Sequence, residues 1–245
     1  MSDNKTPMRR DATGKPATRT SDSTAIDAFV RQARALSTPA AGKGAGRLVL
    51  ALDATMSRQP TWDLACRLQA EMFDAVGKAA DLNVQLVYFR GFGECRASRF
   101  VRDTAALRDL MTRIDCRGGH TQIGKVLAHA LKENEKGKVN ALVYIGDAME
   151  EDVDDLANKA GRLGLHGVPV FIFQEGRDPV AETAFKEIAR LSKGAWFRFD
   201  GNAASQLSKL LSAVAIFATG GLKALEARGG AEDRLMIEHL TGGRR

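Results

Sequence analysis

The chain has 245 residues, of which 44% are hydrophobic and 27% are charged, a composition typical of a folded globular protein. No apolar run approaches the ~18 residues that a membrane-spanning helix needs, and the first residues lack the apolar segment of a secretory signal, so we predict a cytoplasmic protein without a membrane partner. The formal net charge of +6 is concentrated in residues 1–47, which hold nine Lys and Arg against four Asp and Glu, and the rest of the chain is almost neutral.

The N-terminal part of the chain is predicted to lie outside the folded domain. Residues 1–22 are polar and basic and show no hydrophobic period, which is typical of a disordered leader. A basic leader can also contact nucleic acid or an acidic protein, and that alternative stays open. Residues 23–45 predict a short amphipathic helix followed by a Gly-rich linker.

From residue 46 onward, strand-like and helix-like segments alternate. The predicted strands are 47–52, 83–89, 97–101, 140–145, 168–173 and 196–199. The predicted helices are 61–78, 103–113, 121–133, 153–163, 181–191 and 203–218, and residues 221–245 predict a further helix and a tail. This alternation predicts an α/β fold, a Rossmann-like three-layer sandwich with a mostly parallel six-stranded sheet. The short link between the second and third strands predicts that the third is an antiparallel edge strand.

Oxygen-bearing side chains follow the first predicted strand. Asp53, Thr55 and Ser57 come directly after the apolar residues 48–52, and open α/β sheets bind ligands at the carboxyl ends of their strands. Carboxylate and hydroxyl oxygens are hard ligands, which suit Mg²⁺ or Ca²⁺ better than zinc. Capping of the next helix by Asp53 or Ser57 is the simpler alternative.

Two later residues also bear side-chain oxygens next to predicted elements. Thr121 lies in a Gly-rich loop, and Asp147 comes two residues after the predicted strand 140–145.

The order of these parts resembles a von Willebrand factor type A (VWA) domain over residues 46–220. The metal-ion-dependent adhesion site (MIDAS) of that family uses Asp-x-Ser-x-Ser after the first strand, a threonine in a Gly-rich loop, and an aspartate after the fourth strand. The matching segments here are Asp53-Ala-Thr55-Met-Ser57, Gly118-Gly-His-Thr121 and Tyr144-Ile-Gly-Asp147. Thr55 replaces the usual serine but keeps the hydroxyl, and Ala148 stands where glycine often follows the aspartate.

The resemblance implies a divalent-metal-dependent protein-binding module rather than an enzyme. Its expected metal ligands are Asp53, Thr55, Ser57, Thr121 and Asp147, and the three matches in the family's order favour metal binding over capping. In that architecture the first and fourth strands are neighbours whose outgoing connections diverge, so Asp53 and Asp147 are expected to face each other across one crevice with the hydroxyls between them. The expected cofactor is Mg²⁺, with Mn²⁺ or Ca²⁺ as alternatives, and the expected partner is a protein that presents an Asp or Glu to the metal. Intracellular relatives of bacterial type often work beside AAA+ ATPases, and the resemblance permits such a partner here.

Residues around the expected metal carry further interpretations. His120 and Glu150 are predicted to form a partner-binding rim, while the other acidic residues of 150–155 are typical of a solvated helix start. Trp62 and Phe92 are either exposed partner contacts or core residues. Three widely spaced cysteines without a CxxC pair favour reduced thiols over a disulfide framework or a zinc site.

Other functions remain as alternatives or are rejected. A metal-dependent hydrolase could use the same carboxylates with His120 as a base, although no dedicated nucleophile is evident. Nucleic-acid binding through the basic leader is a second alternative, whereas we do not expect the folded part to bind nucleic acid. The segment 119–126 matches a P-loop in part, but Val126 stands where that motif needs Ser or Thr for Mg²⁺.

Overall fold

A computed structural model of the protein describes residues 46–59, 62, 82–102, 104–199, 213–216, 218–220, 224 and 227. The strands in these ranges are β1 (Gly46–Asp53), β2 (Leu82–Arg90), β3 (Glu94–Ala97), β4 (Ala141–Gly146), β5 (Val170–Glu175) and β6 (Ala195–Phe199). The α-helices bounded there are α1 (Thr104–Thr112), α2 (Ile123–Lys136), α3 (Val153–Leu165) and α4 (Pro179–Leu191). A 3-10 turn spans Met56–Arg58, and residues 213–216 and 218–220 are helical.

The six strands form one sheet in the order β3-β2-β1-β4-β5-β6. Every neighbouring pair is parallel except β2 and β3, which pair antiparallel at one edge. This arrangement confirms the predicted α/β fold with a mostly parallel six-stranded sheet and one antiparallel edge strand. The chain order reverses between β1 and β4, so their carboxyl ends bound the crevice where such sheets bind ligands.

The central strand β1 is buried on both faces. Leu48, Leu50 and Leu52 face a core that includes residues of α1 and the helical residues 213–215 and 218. Val49 and Ala51 face the opposite core, which is built with α2, α3 and α4. Because successive side chains of a strand point to opposite faces, this run of apolar residues produces a three-layer sandwich rather than an alternating, half-exposed strand.

The predicted third strand, 97–101, is wrong in its bounds. In the structure β3 starts at Glu94, whose Cα pairs with Arg90, and Val101 keeps only an isolated bridge to Val84. Gly91 has a φ of 62°, a left-handed conformation that glycine adopts without strain, and it closes a turn of three residues. The Arg90–Glu94 ion pair, 3.0 Å long, supports the earlier start of the strand.

Several predictions lie outside the described residues. They concern the leader 1–22, the helix and linker 23–45, the helix 61–78 except Trp62, much of the helix 203–218, and most of the segment 221–245. Among the helices of the described part, none is both long and apolar enough to cross a membrane.

Candidate metal centre

Asp53 is the last residue of β1, and its side chain is fully buried. Its Oδ1 accepts a hydrogen bond of 2.8 Å from the backbone N–H of Thr55, which fixes the carboxylate in place. Its Oδ2 is buried and has no hydrogen-bond partner among the described residues. A buried carboxylate oxygen without a partner is costly, and a cation is the kind of partner that would suit it.

Asp147 follows β4 at the same edge of the sheet. The parallel register pairs Leu52 with Ile145, so Asp53 and Asp147 lie just beyond the last paired residues of two adjacent strands. Asp147 Oδ1 is also buried without a hydrogen-bond partner in the described part of the chain. Burial raises the pKa of Asp53 to about 6, and the negative charge of Asp147 adds to this rise, whereas hydrogen bonds from Thr55 oppose it. The two carboxylates are therefore close enough for their charges to interact.

Two hydroxyls lie together on the turn after β1. Thr55 is buried and Ser57 is exposed, and their Oγ atoms are 3.1 Å apart. Thr55 also forms a parallel bridge with Arg117, and the Arg117 N–H donates to the carbonyl of Ala54 at 3.0 Å. These contacts bring the loop that precedes α2 alongside the first motif.

That loop carries Thr121 and is packed against the β2–β3 turn. A Cβ on Gly119 would lie 2.0 Å from the carbonyl oxygen of Gly91, so only glycine permits this close approach. The Gln122 amide donates to the Gly91 carbonyl at 3.3 Å. At the far end of the loop, the buried Thr121 Oγ1 accepts a hydrogen bond of 3.1 Å from the N–H of Glu150. The loop is therefore fastened both to the hairpin and to the segment after β4.

The predicted rim residues are exposed and paired. His120 Nδ1 lies 3.2 Å from Glu150 Oε2, and these side chains are 70% and 51% exposed. Phe92 is 84% exposed and makes an edge-on contact with the His120 ring, with ring centroids 5.3 Å apart. His120 thus lies on an open surface, as expected for a loop histidine.

A scan against protein-family models and a search of curated proteins find no match for this chain. Solved structures do match it. The VWA domain of SpRpn10 shares 14% identity over 68% of this chain and 95% of that chain, with a TM-score of 0.56. A von Willebrand factor type A protein from Catenulispora acidiphila shares 18% identity over 69% of this chain and 42% of that chain, also with a TM-score of 0.56. The chain has the von Willebrand factor type A fold.

A third similar structure comes from the mussel byssus. Proximal thread matrix protein 1, solved with a zinc-occupied MIDAS motif, shares 14% identity over 70% of this chain and 46% of that chain, with a TM-score of 0.57. The zinc is a property of that protein, and these low identities establish the fold alone for the present chain.

The residues of this VWA fold suit a hydroxyl-rich metal site. No cluster of three or more His, Cys, Asp or Glu side chains suited to a metal occurs within the described ranges, which leaves two carboxylates, Asp53 and Asp147, beside the hydroxyls. Such a set of hard oxygen donors suits a partly hydrated Mg²⁺, whereas zinc sites more often include His and Cys. The buried oxygens Asp53 Oδ2 and Asp147 Oδ1, which have no hydrogen-bond partner among the described residues, support this fit.

Sequence reasoning missed three residues of this VWA fold near the site and left a fourth open. Arg58 is buried next to Asp53, and Tyr144 is buried with a hydroxyl that has no hydrogen-bond partner among the described residues. Glu151, interpreted as a solvated acid, instead accepts a 2.8 Å hydrogen bond from the Gly124 N–H at the start of α2. Trp62, one of the two candidate partner contacts, is a core residue: it is 5% exposed, and its indole donates to the carbonyl of Ile114 at 3.0 Å. The one sequence signal for Arg58 is its position immediately after Ser57.

Proposed function

We propose that this protein is a divalent-metal-dependent protein-binding module. Asp53, Thr55, Ser57, Thr121 and Asp147 hold the metal directly or through water, and a carboxylate of a partner protein completes the coordination shell. The observation that carries the proposal is the pair of buried carboxylate oxygens, Asp53 Oδ2 and Asp147 Oδ1, that lack hydrogen-bond partners among the described residues. A cation between them would balance both charges, since an isolated buried carboxylate is strongly disfavoured.

The hydroxyl spacing supports Mg²⁺ as the metal. Oxygen ligands of Mg²⁺ lie at about 2.1 Å, so adjacent ligands of its octahedron are about 3 Å apart. A hydrogen bond of 3.1 Å joins the Oγ atoms of Thr55 and Ser57 and holds them at a spacing compatible with one edge of such an octahedron. Two carboxylates balance the charge of a divalent ion and three hydroxyls add none, so the site would not repel a further anionic ligand.

The exposure of the site supports a macromolecular partner rather than an enclosed substrate. Ser57 is exposed, Met56 is 54% exposed, and the His120 ring contacts Phe92 and Glu150 on the open surface. A protein side chain can reach such a surface without a pocket. We place this module in the cytoplasm, and analogy with the VWA fold alone extends the proposal to an AAA+ ATPase or its substrate as the partner.

Calorimetry with MgCl₂ tests the metal part of this proposal. We expect the full chain to bind Mg²⁺ with measurable heat, and we expect Asp53→Ala and Asp147→Ala to abolish that heat. Asp109→Ala is the matched control, because Asp109 is an exposed aspartate on α1 outside the proposed set. No heat with the unaltered protein, in Mg²⁺ and in Mn²⁺, would refute metal binding.

A pull-down tests the partner part. The full chain is immobilised and exposed to native lysate in Mg²⁺ or in EDTA, beside Asp53→Ala and Asp109→Ala. We expect capture of a partner that is lost in EDTA and with Asp53→Ala and kept with Asp109→Ala. Capture should also disappear when the carboxyl groups of the lysate proteins are amidated beforehand. Capture that survives EDTA and amidation would contradict carboxylate recognition through a metal.

A further inference from the structure

Arg58 is a buried cation that contacts Asp53 of the candidate metal centre. It ends the 3-10 turn that carries Ser57, and its side chain is 0% exposed. Its Nε donates a 3.0 Å hydrogen bond to Glu175 Oε2, and the side chain of Glu175 is 11% exposed. A buried ion pair is costly to form and is often no more stable than apolar residues of the same volume, so its presence here calls for a functional reason.

The guanidinium joins the ends of three strands. Nη1 donates to the carbonyl of Asp53 at 3.2 Å and to the carbonyl of Ile145 at 3.3 Å. Asp53 is the last residue of β1, and Ile145 pairs with Leu52 in the last pair of the β1–β4 ladder. Glu175, the ion-pair partner, is the last residue of β5. Arg58 therefore donates hydrogen bonds where β1 and β4 diverge, and it stabilises the carboxyl ends of these strands, where both aspartates lie.

The same guanidinium places a permanent positive charge beside those aspartates. Arginine stays protonated in proteins, and the charge of Arg58 acts on Asp53 in the direction opposite to that of Asp147. This cation compensates the carboxylates when no metal is bound, and it repels a divalent cation when one binds. Glu175 weakens both effects, because its ion pair with Arg58 partly neutralises the guanidinium.

We propose that Arg58 is a positioning residue whose buried charge, balanced by Glu175, sets the affinity of the adhesion-type site for its metal. This inference rests on the proposed metal-binding function. It makes a prediction that a purely structural ion pair does not: the two partners shift metal affinity in opposite directions. Loss of the Glu175 charge strengthens the positive charge that Arg58 exerts beside the aspartates and weakens metal binding, whereas loss of the Arg58 charge in the same background restores it.

The test uses isosteric variants of the full chain and Mg²⁺ as the probe. Calorimetry at low salt compares the unaltered protein with Glu175→Gln, with Arg58→Met and with the double variant. We expect Glu175→Gln to weaken Mg²⁺ binding at least about fivefold, because a charge this near a divalent ion in a partly buried site acts strongly. We expect the double variant to bind Mg²⁺ within about twofold of the unaltered protein, because it removes a neutral pair.

Melting curves in EDTA keep the test falsifiable if a variant is unstable. Glu175→Gln keeps an acceptor for Arg58 and is expected to fold. Arg58→Met leaves a buried carboxylate and is expected to melt at a lower temperature than the double variant. If Glu175→Gln binds Mg²⁺ as tightly as the unaltered protein, or if the double variant binds no tighter than Glu175→Gln, the proposed role of Arg58 is wrong. If the unaltered protein itself binds no metal, the proposed function fails instead.

Discussion

Thr121 and Glu150 are joined by two reciprocal hydrogen bonds. The backbone N–H of Glu150 donates to Thr121 Oγ1, and the backbone N–H of Thr121 donates to Glu150 Oε2, each at 3.1 Å. This pair couples the Gly-rich loop before α2 to the loop after β4, and these loops carry two of the proposed metal ligands. Glu150, a predicted rim residue, thus also holds Thr121 through its carboxylate.

Thr121→Val tests this coupling and the metal-ligand role together. Valine keeps the shape of threonine but cannot accept from Glu150 or bind a metal, so we expect a loss of about 1 kcal/mol in the free energy of unfolding in EDTA. We also expect Mg²⁺ binding to weaken by at least about tenfold. Thr121→Ser is the matched control and should keep both properties. Urea unfolding and calorimetry give the two measurements, and equal Mg²⁺ affinities for Val and Ser would contradict the ligand role.

Gly119→Ala tests the close approach between the loop and the β2–β3 turn. The added Cβ would lie 2.0 Å from the Gly91 carbonyl oxygen, so we expect a loss of about 1–3 kcal/mol in the free energy of unfolding. Gly118→Ala is a matched control one residue away, since a Cβ there has no neighbour within 4 Å, and its change should stay within about 0.5 kcal/mol. Urea unfolding of both variants checks the prediction, and equal losses would show that the contact is not rigid.

The parts of the fold that depend on local sequence pattern were predicted correctly. The apolar residues before Asp53 predicted a buried central strand, and the strand and helix alternation predicted the α/β sandwich and its antiparallel edge. The start of β3 was missed because it depends on the left-handed Gly91 and on the pairing of Arg90 with Glu94, neither of which leaves a periodic signal.

The environment of the site could not be predicted in the same way. Arg58 was missed because its ion-pair partner Glu175 is 117 positions away in the chain, and only the folded sheet brings the two together. The sequence left Trp62 open as a partner contact. The fold buries it, and its indole donates to the carbonyl of Ile114. Local motifs thus indicated the candidate oxygen ligands, whereas the charged residues around them come from distant segments of the chain.

Asp53→Asn should stabilise the metal-free protein while it removes metal binding. Burial and the neighbouring charge of Asp147 raise the pKa of Asp53 from 3.8 to about 6, so the ionised carboxylate is less favourable in the folded state at pH 7. A neutral amide keeps an acceptor for the Thr55 N–H, and we expect a gain of about 1–3 kcal/mol in the free energy of unfolding. Urea unfolding at pH 7 in EDTA measures it, beside Asp109→Asn as a control. A lower stability for Asp53→Asn than for that control would contradict the prediction.

His129 on α2 should make the stability of the protein decrease at acid pH. Its Nε2 lies 2.9 Å from Gln85 Oε1, and burial lowers the pKa of His129 below its ordinary value of 6.5, with Lys136 and Lys132 acting in the same direction and Glu133 against it. The unfolded chain therefore takes up a proton at higher pH than the folded chain. The stabilisation by neutral His129 is fully present above the unfolded pKa and is lost as the pH falls through the lowered folded pKa.

The check for His129 is the pH dependence of unfolding. The free energy of unfolding of the unaltered protein is compared with that of His129→Gln between about pH 7.5 and 4.5, a range that spans the ordinary histidine pKa. Glutamine does not titrate, so the free energy of unfolding of His129→Gln should increase relative to that of the unaltered protein as the pH falls. His166→Gln, a change at an exposed histidine after α3, controls for the loss of a histidine as such. A difference that stays constant across this range would show that His129 has the same pKa in the folded and unfolded states.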